Sequence, residues 1–185
     1  MNEYIFYPYF IHLSTYWFFG SFFLILDLFP NKFNKFKIYK QQTIDWNLYK
    51  LTIKDVFFTH LFITFPFNIL ISPLWKYCNC TWESSDPKFF DFILILLIGE
   101  FLFYYIHYYF HKNHFLYKKI HKKHHTWKYP VAISAQYAHP IENILCNYSP
   151  FLIGCFITQL NFYYVLFLIF LGTFNAINSH SGYKF

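Results

Sequence analysis

The sequence predicts an all-α, multi-pass membrane protein with a histidine-lined di-metal site at its cytosolic edge. Three observations lead there: apolar runs of about 20 residues, long enough to cross the hydrocarbon layer; lysines gathered into the polar blocks between them; and five histidines at helical spacing just past one run. Charged residues are 13% of the chain and hydrophobic ones 56%, whereas a soluble domain carries about a quarter charged residues. All fifteen basic residues are lysine, which together with abundant Phe, Tyr, Ile and Asn reads as an AT-rich coding bias. The aromatic excess therefore carries little functional meaning. The net charge of +6 is no nucleic-acid signature, because the lysines flank apolar segments and so read as orientation signals.

The first expected span covers residues 9–30. It lacks the basic start and small-residue cleavage site of a signal peptide, so it is expected to stay as an anchor. Residues 31–54 form a polar block with Lys32, Lys35, Lys37, Lys40, Lys50 and Lys54. A second span is expected over 56–75 and a third over 89–109, joined by a short loop, 76–88, that is poor in positive charge. A further block, 112–128, holds six lysines. Under the positive-inside rule both lysine blocks face the cytosol and the short loop the lumen. Asn79-Cys80-Thr81 in that loop matches a glycosylation acceptor, but its closeness to the membrane argues for a chance match. Residues 147–178 hold enough apolar residues for one long span, interrupted by Gln159 and Asn161. A single crossing would put His180 on the lumenal side, whereas a turn near 158–161, the expected arrangement, returns it to the cytosolic face. Arms of about 14 residues would reach only about 20 Å, making the hairpin re-entrant. Cys78, Cys80, Cys146 and Cys155 make no disulfide framework and are expected as small buried hydrophobes.

The histidines carry the chemistry. His107-x-x-x-His111 and His121-x-x-His124-His125 repeat at three and four residues, which places imidazoles on one helix face. Neutral nitrogens without thiolates suit iron, zinc or copper and point away from a structural zinc finger. Five such ligands exceed the needs of one tetrahedral ion, so two metals fit the count. A Lys/His patch resting on anionic headgroups needs no such register. His114 shares the face of His107 and His111 but is read as a bystander. His60, inside the second span, is expected to bond a neighbour, and His12 to sit near a membrane end.

Four strings, HYYFH, LYKKIHKKHH, YAHPIE and NSHSGY, resemble consecutive signatures of the fatty acid hydroxylase/sterol desaturase superfamily. YAHPIE and NSHSGY are most similar to its C4-methylsterol oxidase branch. The resemblance covers residues 100–183 and divides the chain into N-terminal membrane helices (1–88) and a fatty acid hydroxylase-type domain (89–185). It implies a membrane-bound non-haem di-iron oxygenase on the cytosolic face of the endoplasmic reticulum. Such an enzyme uses O2 and NAD(P)H electrons, relayed by cytochrome b5, to oxidise C–H bonds of a lipid. In the methylsterol branch a C4 methyl group is taken to the carboxylate; a fatty acyl hydroxylase or sterol desaturase is the alternative within the superfamily. Carried over by motif, the iron ligands are His107, His111, His121, His124, His125, His139 and His180. Oxidising an unactivated methyl group is chemistry that a metal supplies and no side chain here does. Glu142, three residues after His139, is placed to accept that imidazole's second N–H, and Glu100 is a second candidate for the same supporting role. The six lysines of 112–128 suit either an acidic electron donor or ordinary topology signalling.

The chain departs from the pattern in three ways. Tyr108 stands where the family has Arg, Glu100 where it has Asp, and the HxxHH box expected beyond HSGY is missing before Phe185. A fragment of a longer oxidase is the expectation, against an inactive truncated protein or scaffold. A His-rich metal carrier would need polar residues along several spans, and only Asp27, His60, Asp91, Glu100 and a few amides are present.

Overall fold

A computed structural model describes residues 2–40 and 43–184; Gln41 and Gln42 of the first lysine block lie outside them. No strand occurs among the described residues, only one antiparallel bridge between Lys37 and Tyr183. The long helices are α1 (Glu3–Leu28), α2 (Trp46–Tyr77) and α3 (Phe89–Lys112). A short α4 (His114–Lys119) follows, and the hairpin is α5 (140–158) with α6 (Phe162–His180). Helices α1, α2, α3 and α6 are each long and apolar enough to cross a membrane. All three expected spans are present, and α2 is the one lengthened by a cap at its start. Asp45 accepts from the Asn47 and Leu48 amides to start α2, well ahead of the apolar residues that define its span. Asp91 accepts from Lys88 N at 2.7 Å at the start of α3.

Two helices widen locally into a π-turn, and in both a proline follows two residues later. The turn His60–Thr64 precedes Pro66, and Asn143–Tyr148 precedes Pro150. Proline brings no N–H and its ring crowds the carbonyl four residues back, and the wider turn relieves both problems.

The hairpin is longer than the sequence suggested. Its second arm has 19 residues, about 28 Å of helix and long enough to traverse rather than re-enter. Gln159 and Asn161 do not interrupt a span; they make the turn. Gln159 takes the left-handed conformation at φ 51°, and Asn161 caps α6 by accepting from Tyr163 N at 3.0 Å. The Asn161 amide also donates to Ser84 O at 2.6 Å and Trp82 O at 3.2 Å. Asn79 donates to Gln159 Oε1 at 3.2 Å. The turn is thereby seated on the loop between α2 and α3, as deep as those helices reach. Cys80, Cys146 and Cys155 are buried and all four cysteines are free, as expected for inert thiols.

Residues 131–138, a 3-10 turn (Ala132–Gln136) with its short flanks, are wholly buried among α1, α2 and α6. Backbone in such a place must find polar partners inside the protein. Tyr16 OH donates to Ile133 O, and Gln136 anchors a side-chain chain whose proton order is determined. Trp17 Nε1 is donor only and donates to His60 Nδ1 at 3.1 Å. His60 Nε2–H must then donate to Gln136 Oε1 at 2.6 Å. The Gln136 amide donates to His12 Nε2 at 2.9 Å, and His12 Nδ1–H to Thr173 Oγ1 at 2.9 Å. His60 thus bonds its neighbours as expected. His12 does not sit at an interface: it is 7% exposed inside the bundle, because Gln136 and Thr173 satisfy both its nitrogens.

Candidate metal centre

The centre forms where α3 ends. Asn113 stops that helix and caps α4 by accepting from Leu116 N at 3.1 Å, which turns the chain so that 121–126 folds back beside His107 and His111. This return is a 3-10 turn, His121–Thr126, rather than the α-helix that the spacing suggested. Lys123 fastens it to α2 through Asp55, with Nζ 2.8 and 2.7 Å from the two oxygens. Trp127 Nε1 adds a bond to Thr52 Oγ1 at 3.0 Å. Phe110, Ile120 and Cys146 form a small core beneath.

Six of the seven sequence-predicted ligands meet in two groups. The Nε2 atoms of His107 and His111 stand 3.2 Å apart, those of His111 and His121 2.9 Å, and those of His121 and His125 2.9 Å. His107, His111 and His121 offer nitrogens all within 4.8 Å of one another. His124 turns the other way, and its Nε2 lies 3.4 Å from that of His180. Two imidazole nitrogens bound to one ion at about 2.1 Å stand about 3.0–3.4 Å apart for angles of 90–110°. All four separations are close to that range, so the donor set fits metal.

Hydrogen bonds away from the centre aim the lone pairs inward. His121 Nδ1–H donates to Glu142 Oε1 at 2.8 Å, and His180 Nδ1–H to Ala176 O at 2.8 Å. Each bond fixes the tautomer that presents Nε2 as an acceptor. Lone pairs this close repel unless a cation or a proton lies between them. Burial, then His180 and the other imidazoles, pushes the His124 pKa down to about 3. Burial, His121 and His111 lower that of His125. Both rings are therefore unprotonated near neutrality, the form that binds metal. Glu142 Oε2 is buried without a partner, a carboxylate oxygen that a cationic centre would help to compensate, and His124 Nδ1 is likewise buried without one.

Several expectations change here. Glu142 supports His121, not His139, a pairing across 21 residues that helical spacing does not reveal. His139 instead caps α5, its Nδ1 accepting from Ile141 N at 3.2 Å. Among the described residues it makes no hydrogen bond or ring contact with the other six, and Nε2 remains its only ligating atom. Glu100 is exposed along α3 and hydrogen-bonds no histidine, since the face it shares with His107 is not covered at that depth. His114 is exposed at the start of α4, as a bystander should be. Lys123 is committed to Asp55, while Lys112, Lys118, Lys119, Lys122 and Lys128 are exposed.

Apolar helices that gather imidazoles at one rim define an integral membrane protein with a histidine cluster able to hold metal. Residues 92–185 match the fatty acid hydroxylase family model, and the chain belongs to that family of lipid-oxidising proteins. It is 32% identical over 176 residues to human fatty acid hydroxylase domain-containing protein 2, covering 91% of this chain and 53% of that protein. It is 30% identical over 172 residues to the C-4 methylsterol oxidase of Candida albicans, with 87% and 54% covered. A fatty acid hydroxylase of Mycosarcoma maydis is 34% identical over 142 residues, with 74% and 37% covered. The chain thus spans about half the length of the first two relatives and little more than a third of the last. No solved structure matches it.

Proposed function

We propose that this chain carries the histidine centre of a membrane-bound, non-haem di-iron oxygenase that oxidises a C–H bond of a lipid. The observation that carries the reading is the convergence of four Nε2 atoms at 2.9–3.2 Å, with a second pair at 3.4 Å. In this reading His107, His111, His121 and His125 hold one iron, His124 and His180 the other, and His139 contributes through Nε2. Iron supplies O2 activation when bound; the chain's own residues fix, shield and orient. Glu142 holds the His121 proton at Nδ1 and keeps Nε2 bare. Phe103, stacked on His107 at 5.3 Å, and Tyr117, 5.8 Å from His111, flank the cluster with apolar ring surface. The apolar flanks of the helices admit a lipid sideways, and the five exposed lysines suit an acidic electron donor such as cytochrome b5.

A C4-methylsterol is the substrate we favour, supported by the YAHPIE and NSHSGY strings and by the Candida relative. The lysine distribution supports a centre facing the cytosol, and the family resemblance supports the endoplasmic reticulum as its membrane. A fatty acyl chain is the second reading, which the Mycosarcoma relative favours. The test is metal analysis of detergent-purified protein carried through to its natural stop codon, followed by lipid profiling of membranes that express it. Two irons per chain and depletion of 4-methylsterols support the proposal. Iron at background level, with the protein folded, overturns it; iron with 2-hydroxy fatty acids and unchanged sterols moves it to the second reading.

A further inference from the structure

Lys37 is unlike the other lysines of its block. Lys32, Lys35, Lys40, Lys50 and Lys54 are exposed, whereas Lys37 is 7% exposed and its Nζ lies 2.6 Å from Oδ1 of Asp27, itself 3% exposed. Withdrawing two charges from water costs several kcal/mol per ion, and a buried pair is often no better than an apolar one. Here the accounting is poorer still, because Asp27 Oδ2 is buried with no partner. Stability alone does not explain the pair, and its neighbours suggest what does.

Both charges hold Tyr183. The Tyr183 hydroxyl donates to Asp27 Oδ1 at 2.9 Å, and Lys37 Nζ sits 4.4 Å from the centre of its ring. The backbones join as well: Ile38 N donates to Gly182 O at 2.9 Å and Lys184 N to Phe36 O at 2.8 Å. Gly182 has φ 73°, a turn that brings the chain from the end of α6 onto this ribbon. Ser181 couples the two parts, accepting from Tyr183 N at 3.2 Å and donating to Asn178 O at 2.7 Å. Just before it stands His180, in the last turn of α6, where helices fray unless tied. Among the described residues its only ring neighbour is His124.

We infer that Asp27 and Lys37 are positioning residues for His180: through Tyr183 they pin the end of α6 so that His180 faces His124. This rests on the reading of His124 and His180 as the second metal subsite. It assigns a role in the centre to residues 143 or more positions away from His180 in sequence, one in the first span and one in the lysine block otherwise read as a topology signal.

The test uses the full chain in detergent, loaded with Fe(II) or Co(II), with metal stoichiometry, Co(II) absorption and thermal unfolding as readouts. Asp27→Asn should cut affinity for the second ion about 10–100-fold, as loss of an outer partner does elsewhere, and leave the first bound. His180→Ala should lose the same ion, and His111→Ala the other. Because Asp27→Asn strands a lysine, the decisive variant is Asp27→Leu/Lys37→Met, which removes both charges together. It should fold with unchanged or higher thermal stability and still lose the second ion, a combination that a merely structural pair does not give. If this double variant binds two ions like the wild type while His180→Ala binds one, the positioning role is overturned and the di-metal reading stands. If the wild type binds two and the double variant fails to fold, the pair is structural and the positioning role is likewise overturned. If the wild type itself binds no ion, the di-metal reading fails first.

Discussion

Helix α3 delivers His107 and His111 yet has little holding it. Only 6% of its apolar window is buried, against 39% for α1 and for α2, and its main packing partner is α5. That contact is close because of Gly154: a Cβ there would stand 3.2 Å from Ile95 Cα and Cγ2, and 3.3 Å from its carbonyl oxygen. In lipid, where apolar burial gives little drive, such small-residue contacts are what hold helices together. Alanine needs a shift of about 0.5 Å to reach ordinary carbon contact. Leucine extends further and must push Ile95 outward by roughly 2–3 Å, an overpacking that costs about 1–3 kcal/mol. The Phe110 cluster lies 15 residues along α3, about 22 Å away, so the helix tilts by about 6° around it. The tilt reaches the adjoining histidines as a shift of some tenths of an ångström. Gly154→Leu should therefore lower the thermal midpoint in detergent by about 2–4 °C per kcal/mol and weaken metal binding, while Gly154→Ala stays near wild type. An unchanged midpoint for Gly154→Leu would show that α3 is held by something else, and the argument would fail.

Three further outcomes follow from named contacts. Glu142→Gln should lower metal affinity about 10–100-fold, read by competition with a chelator; equal affinity would mean the bond to His121 Nδ1 does not set the tautomer. Gln136→Leu strands His60 Nε2–H and His12 Nε2 in the bundle core and should destabilise by about 1–3 kcal/mol per stranded group. Combined with His60→Leu the effect should be less than additive, and additivity in thermal melts would deny the network. Asn161→Ala removes the α6 cap and the two bonds to the 78–84 loop. A loss of about 1–2 kcal/mol is expected, and no loss would mean the turn is not seated there.

Patterns that repeat along the chain were legible in the sequence; pairings across it were not. Apolar runs announced the spans, and His107 with His111 announced a helical face. Gln159 and Asn161 marked the hairpin turn, although their polarity was placed halfway through the membrane instead of at its far side. The length error came from stopping the first arm at Asn147, since the π-turn before Pro150 continues the helix back to Pro140. The 3-10 turn at His121 is hidden because a spacing of three or four residues does not say whether a turn takes 3.0 or 3.6 of them. Local spacing pairs Glu142 with the near His139, whereas folding gives it the distant His121. Nothing in the sequence around Gln136 marks it as a polar anchor. Only the burial of 131–138 shows that its amide decides the proton order of two histidines.

The two halves of the histidine cluster differ in how far the chain must travel to complete them. His107 to His125 span 18 positions, joined by one tight return after Asn113, whereas His124 and His180 are separated by 56 and by the whole α5–α6 hairpin. The local group can assemble as soon as the ribosome has released it. The distant pair waits until the hairpin has inserted and its tip has locked under the 78–84 loop. If the cluster holds two ions as proposed, this order of assembly would make metal capture during biogenesis stepwise, with a nascent chain carrying a single ion as the intermediate.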